Sequence, residues 1–297
     1  MYDIIIIGAG PAGISASLYA KRAGMNVLVL YHGTSELEKA HKIDNYYGFA
    51  DGISGKELFD NGIKQAQNLG VEVLEKEITN IEMNMNANVS ENEEQQVIYN
   101  VKAIDQTFEA KAVIIATGNK KVRPNIPGIV EFEGKGISYC AICDGFFYRN
   151  KNVAVIGNGD YAISEAEDLK NIAAKVTILT NSEEAPSTSE FEIETRRITE
   201  IKGENKVQEV VFEDGDSLEL DGLFIAIGIA GGQDFAKKIG VMIENDKIVV
   251  NENMETNVEG IYACGNLTGG LLQVNKAVYE GAKAGLSAVS FVRNLKK

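Results

Sequence analysis

Two stretches of this chain repeat one pattern: a short apolar strand running into closely spaced glycines and then a helix. Residues 3–7, Asp-Ile-Ile-Ile-Ile, carry the β-branched run of a strand buried on both faces. They lead into Gly8-Ala9-Gly10-Pro11-Ala12-Gly13, a helical stretch from Ile14 to Ala23, a stop at Gly24 and a second strand from Met25 to Leu30. Strand, G-x-G-x-x-G, helix and strand within about 30 residues is the context that lifts the motif above a chance spacing. Gly8 permits the tight turn, Gly10 lets the backbone approach a pyrophosphate, and Gly13 lets the helix pack close to the strand. Gly8, Gly10, Pro11, Ala12 and Gly13 of this turn are the candidate cofactor residues, and the N-terminus of the helix that follows holds the phosphates with its free N–H groups.

The unit recurs mid-chain. Val153-Ala154-Val155-Ile156 is a strand, Gly157-Asn158-Gly159-Asp160-Tyr161-Ala162 the turn, Ile163 to Ile172 a helix and Lys175 to Thr180 the next strand. This internal duplication predicts an α/β protein of two Rossmann-like nucleotide-binding domains. A buried strand from Lys111 ends in Ala116-Thr117-Gly118, and Gly222 to Ile227 matches it before Gly228. Gly260 to Asn266 reads as a strand entering a loop, and an amphipathic helix from Gln273 to Asn294 follows. Residues 82–96 and 181–190 are polar interruptions. The second domain, 114–243, is therefore expected to be inserted into a discontinuous first domain, 1–113 with 244–297.

Charge and cysteine usage narrow the partners. Lys and Arg total 29 against 43 Asp and Glu, a net charge of −14, which argues against nucleic acid. The short basic clusters (Lys120, Lys121 and Arg123; Arg196 and Arg197; Lys237 and Lys238; Lys296 and Lys297) read as solvated surface. No apolar run approaches the ~18–20 residues of a membrane span, and residues 1–10 lack a secretory pattern, so a cytoplasmic protein is expected. Two histidines and three cysteines are too few for a multi-ligand metal site. Cys140 and Cys143 form a C-x-x-C, which in such a chain points to redox chemistry before zinc or a structural disulfide. Cys264, alone in a strand-like run, reads as a small buried hydrophobe.

With Gly8–Gly13, Ala116-Thr117-Gly118, the C-x-x-C and the second G-x-G-x-x-A together, the chain resembles a low-molecular-weight thioredoxin reductase over essentially its whole length. The most specific stretch runs from Gly136 to Phe147, Gly-Ile-Ser-Tyr-Cys-Ala-Ile-Cys-Asp-Gly-Phe-Phe, and is similar to the family's redox-active segment. Ile43 to Phe49, containing Asn45, looks like its flavin-contacting segment, with Tyr47 where proline is common. The resemblance implies two Rossmann-like domains of the three-layer ββα type, bound FAD and a homodimer. It assigns Cys143 to the flavin side, Cys140 to attack on the partner disulfide, and Asp144 to protonation of the leaving thiolate.

The departures from the family bear on the electron donor. NADPH-dependent members place a His-Arg-Arg run and a further Arg after the second unit's strand. Here Thr180-Asn181-Ser182-Glu183-Glu184-Ala185-Pro186 stands there, and two carboxylates would repel a 2′-phosphate. NADPH is therefore not expected, while the surviving Gly157/Gly159/Ala162 turn leaves NADH open. Ile229-Ala230-Gly231-Gly232 lacks the usual Pro-Asn, and the family's Arg-Gln pair is Leu272-Gln273. On the flavin side, Tyr31 occupies the place of a ribose-binding acid, Thr34-Ser35-Glu36 replaces Gly-Gly-Gln, and Asn266 follows Gly265 where aspartate is usual.

A dithiol beside a flavin without an NADPH site resembles the ferredoxin-dependent flavin thioredoxin reductases. Reduced ferredoxin is then the expected donor and thioredoxin the acceptor. An NADH-linked thioredoxin reductase and an oxygen-dependent dithiol oxidase are the enzymatic alternatives, and a flavin-bound sensor the non-enzymatic one.

Overall fold

The computed structural model describes residues 1–33, 35–85, 97–118, 124–139, 141–187, 190–228 and 231–295, without the side chains of Glu36, Lys39, Met85, Ile142 and Cys143. The chain forms two compact units, residues 1–120 with 231–297, and residues 121–230. The first unit opens with β1 (Tyr2–Ile7), α1 (Pro11–Arg22), β2 (Val27–Tyr31), α2 (Gly55–Asn68), β3 (Glu72–Glu75), β4 (Ile78–Met85), β5 (Val97–Ala103) and β6 (Thr107–Ile115). The second contains α3 (Ile129–Phe132), β7 (Ile137–Ser138), α4 (Ala141–Asp144), β8 (Asn152–Ile156), α5 (Asp160–Lys170), β9 (Lys175–Leu179), β10 (Glu192–Glu194), β11 (Ile198–Gly203), β12 (Val207–Phe212), β13 (Ser217–Glu219) and β14 (Gly222–Ile225). The chain then returns to the first unit with α6 (Gly232–Lys238), β15 (Ile243–Glu244), β16 (Lys247–Ile248), β17 (Ile261–Ala263) and α7 (Val274–Asn294).

In the first unit the main sheet runs β3-β2-β1-β6-β5-β4. β6 has two roles. Its first half pairs antiparallel with β5, Tyr99 opposite Ala110, and its second half lies parallel between β1 and β17, Ile115 opposite both Ile7 and Ala263. The carboxyl ends of β1, β6 and β17 therefore share one edge. Ile4, Ile5 and Ile6 are inaccessible to water, which accounts for the continuous apolar run of a strand covered on both faces.

Helices α1 and α7 cover one face with almost no side chain between them. A Cβ on Gly281 would sit 2.0 Å from the Ala12 carbonyl oxygen, and one on Gly285 2.5 Å from that of Ala16. Ser15 Oγ adds a 2.7 Å hydrogen bond to the Val278 carbonyl.

The second unit is three layers. Its parallel sheet, β10-β9-β8-β14-β7, packs α5 on one side and the antiparallel β11-β12-β13 on the other. Ala154, Ile156, Leu223 and Ile225 of the sheet share one core with Ile198, Ile201, Val210 and Phe212. These are the two Rossmann-like units that the duplicated motif predicts.

Several boundaries differ from those read in the sequence. The chain crosses between units at 120/121 and 230/231, not at 113/114 and 243/244. β6 completes its pairing with Ile7 and Ala263 only at Ile115, and α6 packs against β4, β15 and β16. α1 begins at Pro11 because proline's fixed φ suits the first helical position. Residues 82–85 belong to β4, paired through Met85 opposite Val97, and 86–96 of that polar stretch lie outside the described residues.

Two predictions follow from this packing. Gly281→Ala is expected to lower stability by about 2–3 kcal/mol, because the new methyl meets backbone that cannot rotate away. A urea midpoint unchanged from the parent would contradict the contact. Tyr99 is 1% exposed, donates its hydroxyl to the Glu259 carbonyl, and is pushed by burial from 10.0 up to about 12. A phenol bound more tightly to its proton when folded contributes stability below pH 10 that is lost as pH rises toward 12. Tyr99→Phe should therefore flatten the fall of the melting midpoint between those values, and an unchanged slope would exclude Tyr99 as its source.

Candidate functional site

The predicted cofactor residues converge on the shared carboxyl edge of the first unit. The Gly8 N–H donates to the Leu30 carbonyl at 2.7 Å, Ala116 N–H to Ile7 at 2.8 Å, and Cys264 N–H to Ile115 at 3.1 Å, which lines up the three strand ends. A Cβ on Gly8 would lie 2.4 Å from the Ala116 carbonyl oxygen, and one on Gly13 1.9 Å from that of Gly8. At Gly10, by contrast, the nearest atom is Ser35 Oγ at 4.0 Å. Two glycines are thus consumed by packing, and the third leaves room beside the backbone. Gly10 also gives α1 no side-chain cap, so the first-turn N–H groups suit an anionic pyrophosphate. A crevice outside the carboxyl ends of parallel strands is where such folds bind ligands.

Asn45 and Gln273, far apart in sequence, meet: Asn45 Nδ2 donates to Gln273 Oε1 at 3.0 Å, and Asn275 Nδ2 to the Asn45 carbonyl at 3.4 Å. Thr117 Oγ1 accepts from the Gly232 N–H at 2.9 Å and donates to the Gly118 carbonyl at 3.3 Å. Tyr31 ends β2, with its ring edge-on to Phe59 and centroids 6.0 Å apart. Burial, then Glu75, Asp60 and Glu38, raise its phenol above the ordinary value. A carboxylate missing at Tyr31 is present one strand over: Glu75 pairs in register with Tyr31 and accepts from the Gly33 N–H at 3.3 Å. Ser35 and Glu38 fold the next turn as a capping box, and Thr34 lies outside the described residues.

The sequence reading missed the group that holds the Gly265 loop. Lys276 Nζ donates to the carbonyls of Gly265 at 2.7 Å and Gly269 at 2.5 Å and to Thr268 Oγ1 at 2.8 Å, and pairs with Glu280 at 2.9 Å. Glu280, 8% exposed, accepts in turn from the Gly265 N–H and Thr268 Oγ1, both at 2.9 Å. This network fixes the 3-10 turn Gly265–Thr268 that carries Asn266. Its only trace in the sequence is an i,i+4 Lys-Glu pair, which by itself reads as a surface feature. Burial pushes the adjacent Cys264 thiol far above its usual range, in keeping with a buried, unreactive cysteine.

Cys140 lies outside the described residues, as do Lys120, Lys121, Arg123, Ile229 and Ala230. The backbone of Cys143 belongs to the single turn α4, which ends in Asp144. Ser138 Oγ donates to Asp144 Oδ2 at 2.6 Å, a contact that orients the predicted acid. Phe146 and Phe147 follow, 67% and 69% exposed.

The turn after β9 is closed on itself. Thr180 is buried, Asn181 and Ser182 adopt left-handed backbone conformations, and Asn181 Oδ1 accepts from the Ile198 N–H at 2.7 Å. Arg196 is engaged by Glu194, Asp214 and Asp216 at 2.7, 2.8 and 3.1 Å. That guanidinium is committed to carboxylates, and Glu183 and Glu184 are exposed beside the turn.

The profile of the pyridine nucleotide-disulphide oxidoreductase family matches residues 2–281. The thioredoxin reductase of Helicobacter pylori is 36% identical, over 99% of this chain and 100% of its own. Among solved structures, an atypical thioredoxin reductase from Desulfovibrio vulgaris Hildenborough superposes with a TM-score of 0.87 at 35% identity, covering 99% of both chains. A ferredoxin-flavin thioredoxin reductase from Clostridium acetobutylicum does so at 0.68 and 34% identity, over 99% of this chain and 98% of that one. Fold and carboxyl-edge site thus define a flavin-type disulfide oxidoreductase. Within that class, the chain belongs to the low-molecular-weight thioredoxin reductase family. The family implies FAD, and the open backbone at Gly10 with the uncapped α1 N-terminus fits its pyrophosphate. No helix among the described residues is long and apolar enough to cross a membrane.

Lys276→Met should cost about 3 kcal/mol, because it leaves Glu280 buried without its cation. Lys276→Met/Glu280→Gln should recover most of that loss in urea titrations, since the amide still accepts from Gly265. Equal stability of the single and double variants would remove the ion pair from the account.

Proposed function

We propose that the chain is a flavin-dependent thioredoxin-disulfide reductase that passes electrons from reduced ferredoxin through FAD and the Cys140–Cys143 disulfide to thioredoxin. The observation that carries the choice of donor is the closed, carboxylate-flanked turn after β9, where Arg196 is already engaged by three carboxylates. A 2′-phosphate would meet Glu183 and Glu184 there, with the Arg196 guanidinium already committed. The name of the Clostridium acetobutylicum relative supports the same reading, since it describes a ferredoxin-flavin enzyme. A homodimer and a cytoplasmic setting complete the proposal.

The first unit's edge, from Gly8 through Pro11, Ala12 and Gly13 to Thr117, Gly265 and Gln273, holds the cofactor. FAD, when bound, supplies a carrier able to take electrons singly or in pairs. The protein's own chemistry is thiol exchange. In the reduced pair the Cys140 thiolate attacks one sulfur of the thioredoxin disulfide, and the S–S bond breaks as the mixed disulfide forms. Asp144, oriented by Ser138, takes the Cys140 proton as that thiolate forms and passes it to the leaving thioredoxin thiolate, and the Cys143 proton goes to the second one. Cys143 then attacks Cys140 sulfur, releasing the second thioredoxin thiol and restoring the Cys140–Cys143 disulfide. Two electrons and two protons pass to thioredoxin.

A second reading, NADH as donor, has one observation in its favour. Gly159 resembles Gly10 in having open space, its nearest atom the Gly228 carbonyl oxygen at 3.8 Å.

Cysteine variants test the proposal with reduced ferredoxin as donor. Cys140→Ser should retain bound flavin and lose thioredoxin reduction, whereas Cys143→Ser should accumulate a covalent mixed disulfide through Cys140. Asp144→Asn should slow turnover about 100-fold. Failure of reduced ferredoxin to support turnover in the parent, or full activity in Cys140→Ser, would overturn the reading.

A further inference from the structure

Helix α5, the helix of the second G-x-G-x-x-A unit, turns Tyr161, Glu165 and Leu169 inward at helical spacing. Glu165 is 1% exposed, and a carboxylate so removed from water is costly unless a donor meets it. One such donor is the backbone N–H of Ala141, 2.6 Å from Glu165 Oε2. Ala141 is itself fully buried, opens α4, and lies in sequence directly between Cys140 and the rest of Cys-Ala-Ile-Cys. One helical turn further along α5, Leu169 Cδ2 lies 3.1 Å from where a Cβ on Gly145 would be, just past Asp144. The segment is thus gripped along its length: Ala141 by Glu165, Asp144 by Ser138, and Gly145 by Leu169.

We infer that Glu165 is a positioning residue for the dithiol turn, and that the second nucleotide-type unit serves here to seat α5 behind that turn. The inference rests on the reading that Cys140 and Cys143 cycle between dithiol and disulfide. Its physical content is that a hydrogen bond from the Ala141 N–H to a buried side-chain acceptor fixes the backbone linking the two cysteines. A fixed turn keeps the two thiols at high effective concentration, which favours the disulfide, and a loosened turn favours the dithiol.

The test uses the flavin-loaded protein equilibrated anaerobically with reduced and oxidised dithiothreitol. Protein disulfide and reduced dithiothreitol exchange two electrons and two protons through a mixed disulfide, giving protein dithiol and cyclic dithiothreitol. Alkylation followed by mass analysis of the peptide carrying both cysteines reads the ratio without recourse to reductase activity. Glu165→Met should move the equilibrium about tenfold toward the dithiol, or ~30 mV for a two-electron couple. Glu165→Gln, whose amide oxygen still accepts, should stay within about threefold of the parent. Hydrogen exchange at the Ala141 amide supplies a second readout: protected in the parent and Glu165→Gln, and about 100-fold faster in Glu165→Met. An equilibrium in Glu165→Met equal to the parent's, or an unprotected Ala141 amide in the parent, overturns the inference even where Glu165→Met fails to fold. A parent pair that forms no disulfide at any ratio overturns the proposed redox function as well.

Discussion

Helix α1 has backbone against it on two sides, and the first unit is arranged around that constraint. Gly13 seats it on the Gly8 carbonyl, and Gly281 and Gly285 of α7 seat it on the carbonyls of Ala12 and Ala16. Contacts this short leave the helix no freedom to slide, so its N-terminus is held at the ends of β1, β6 and β17. The same packing brings α7 close enough for Lys276 and Glu280 to hold the Gly265 loop from beneath. The first-turn N–H groups of α1, the Ala116–Gly118 edge and the Asn45–Gln273 contact are then gathered around one rigid element.

The two units treat buried charge differently. In the first, Glu280 has a cation, a hydroxyl and an N–H, and the network supports a loop. In the second, Glu165 reaches the backbone of a single helical turn, and it holds that turn together with Ser138 and Leu169. The exposed pairs, such as Lys56 with Asp60, contribute little by comparison. Arg196 is an intermediate case, since three carboxylates compete for it and leave it unsuited to an external phosphate.

What the sequence revealed was local and periodic. The two strand-turn-helix units, the turn at Gly8 and the close packing at Gly13 follow from residues within one short window, and the structure reproduces them, whereas the contact of Gly8 with Ala116 does not show locally. Asn45 and Gln273 were each legible from resemblance, but not their mutual hydrogen bond across 228 residues. Glu75, Lys276 with Glu280, and Glu165 escaped for one physical reason. Each is an ordinary charged residue whose meaning comes from a partner on another element: Gly33, the Gly265 loop or Ala141. Boundaries shifted where tertiary pairing overrode local polarity, as in residues 82–85, which extend β4 despite their Glu and Asn content.

The most direct test of the account is an anaerobic absorbance titration of the flavin-loaded protein with NADPH, then NADH, then photoreduced ferredoxin. The account predicts that ferredoxin alone bleaches the flavin band and that oxidised thioredoxin restores it. Rapid bleaching by either nicotinamide at micromolar concentration would contradict it and would show that the second unit still binds a nucleotide productively.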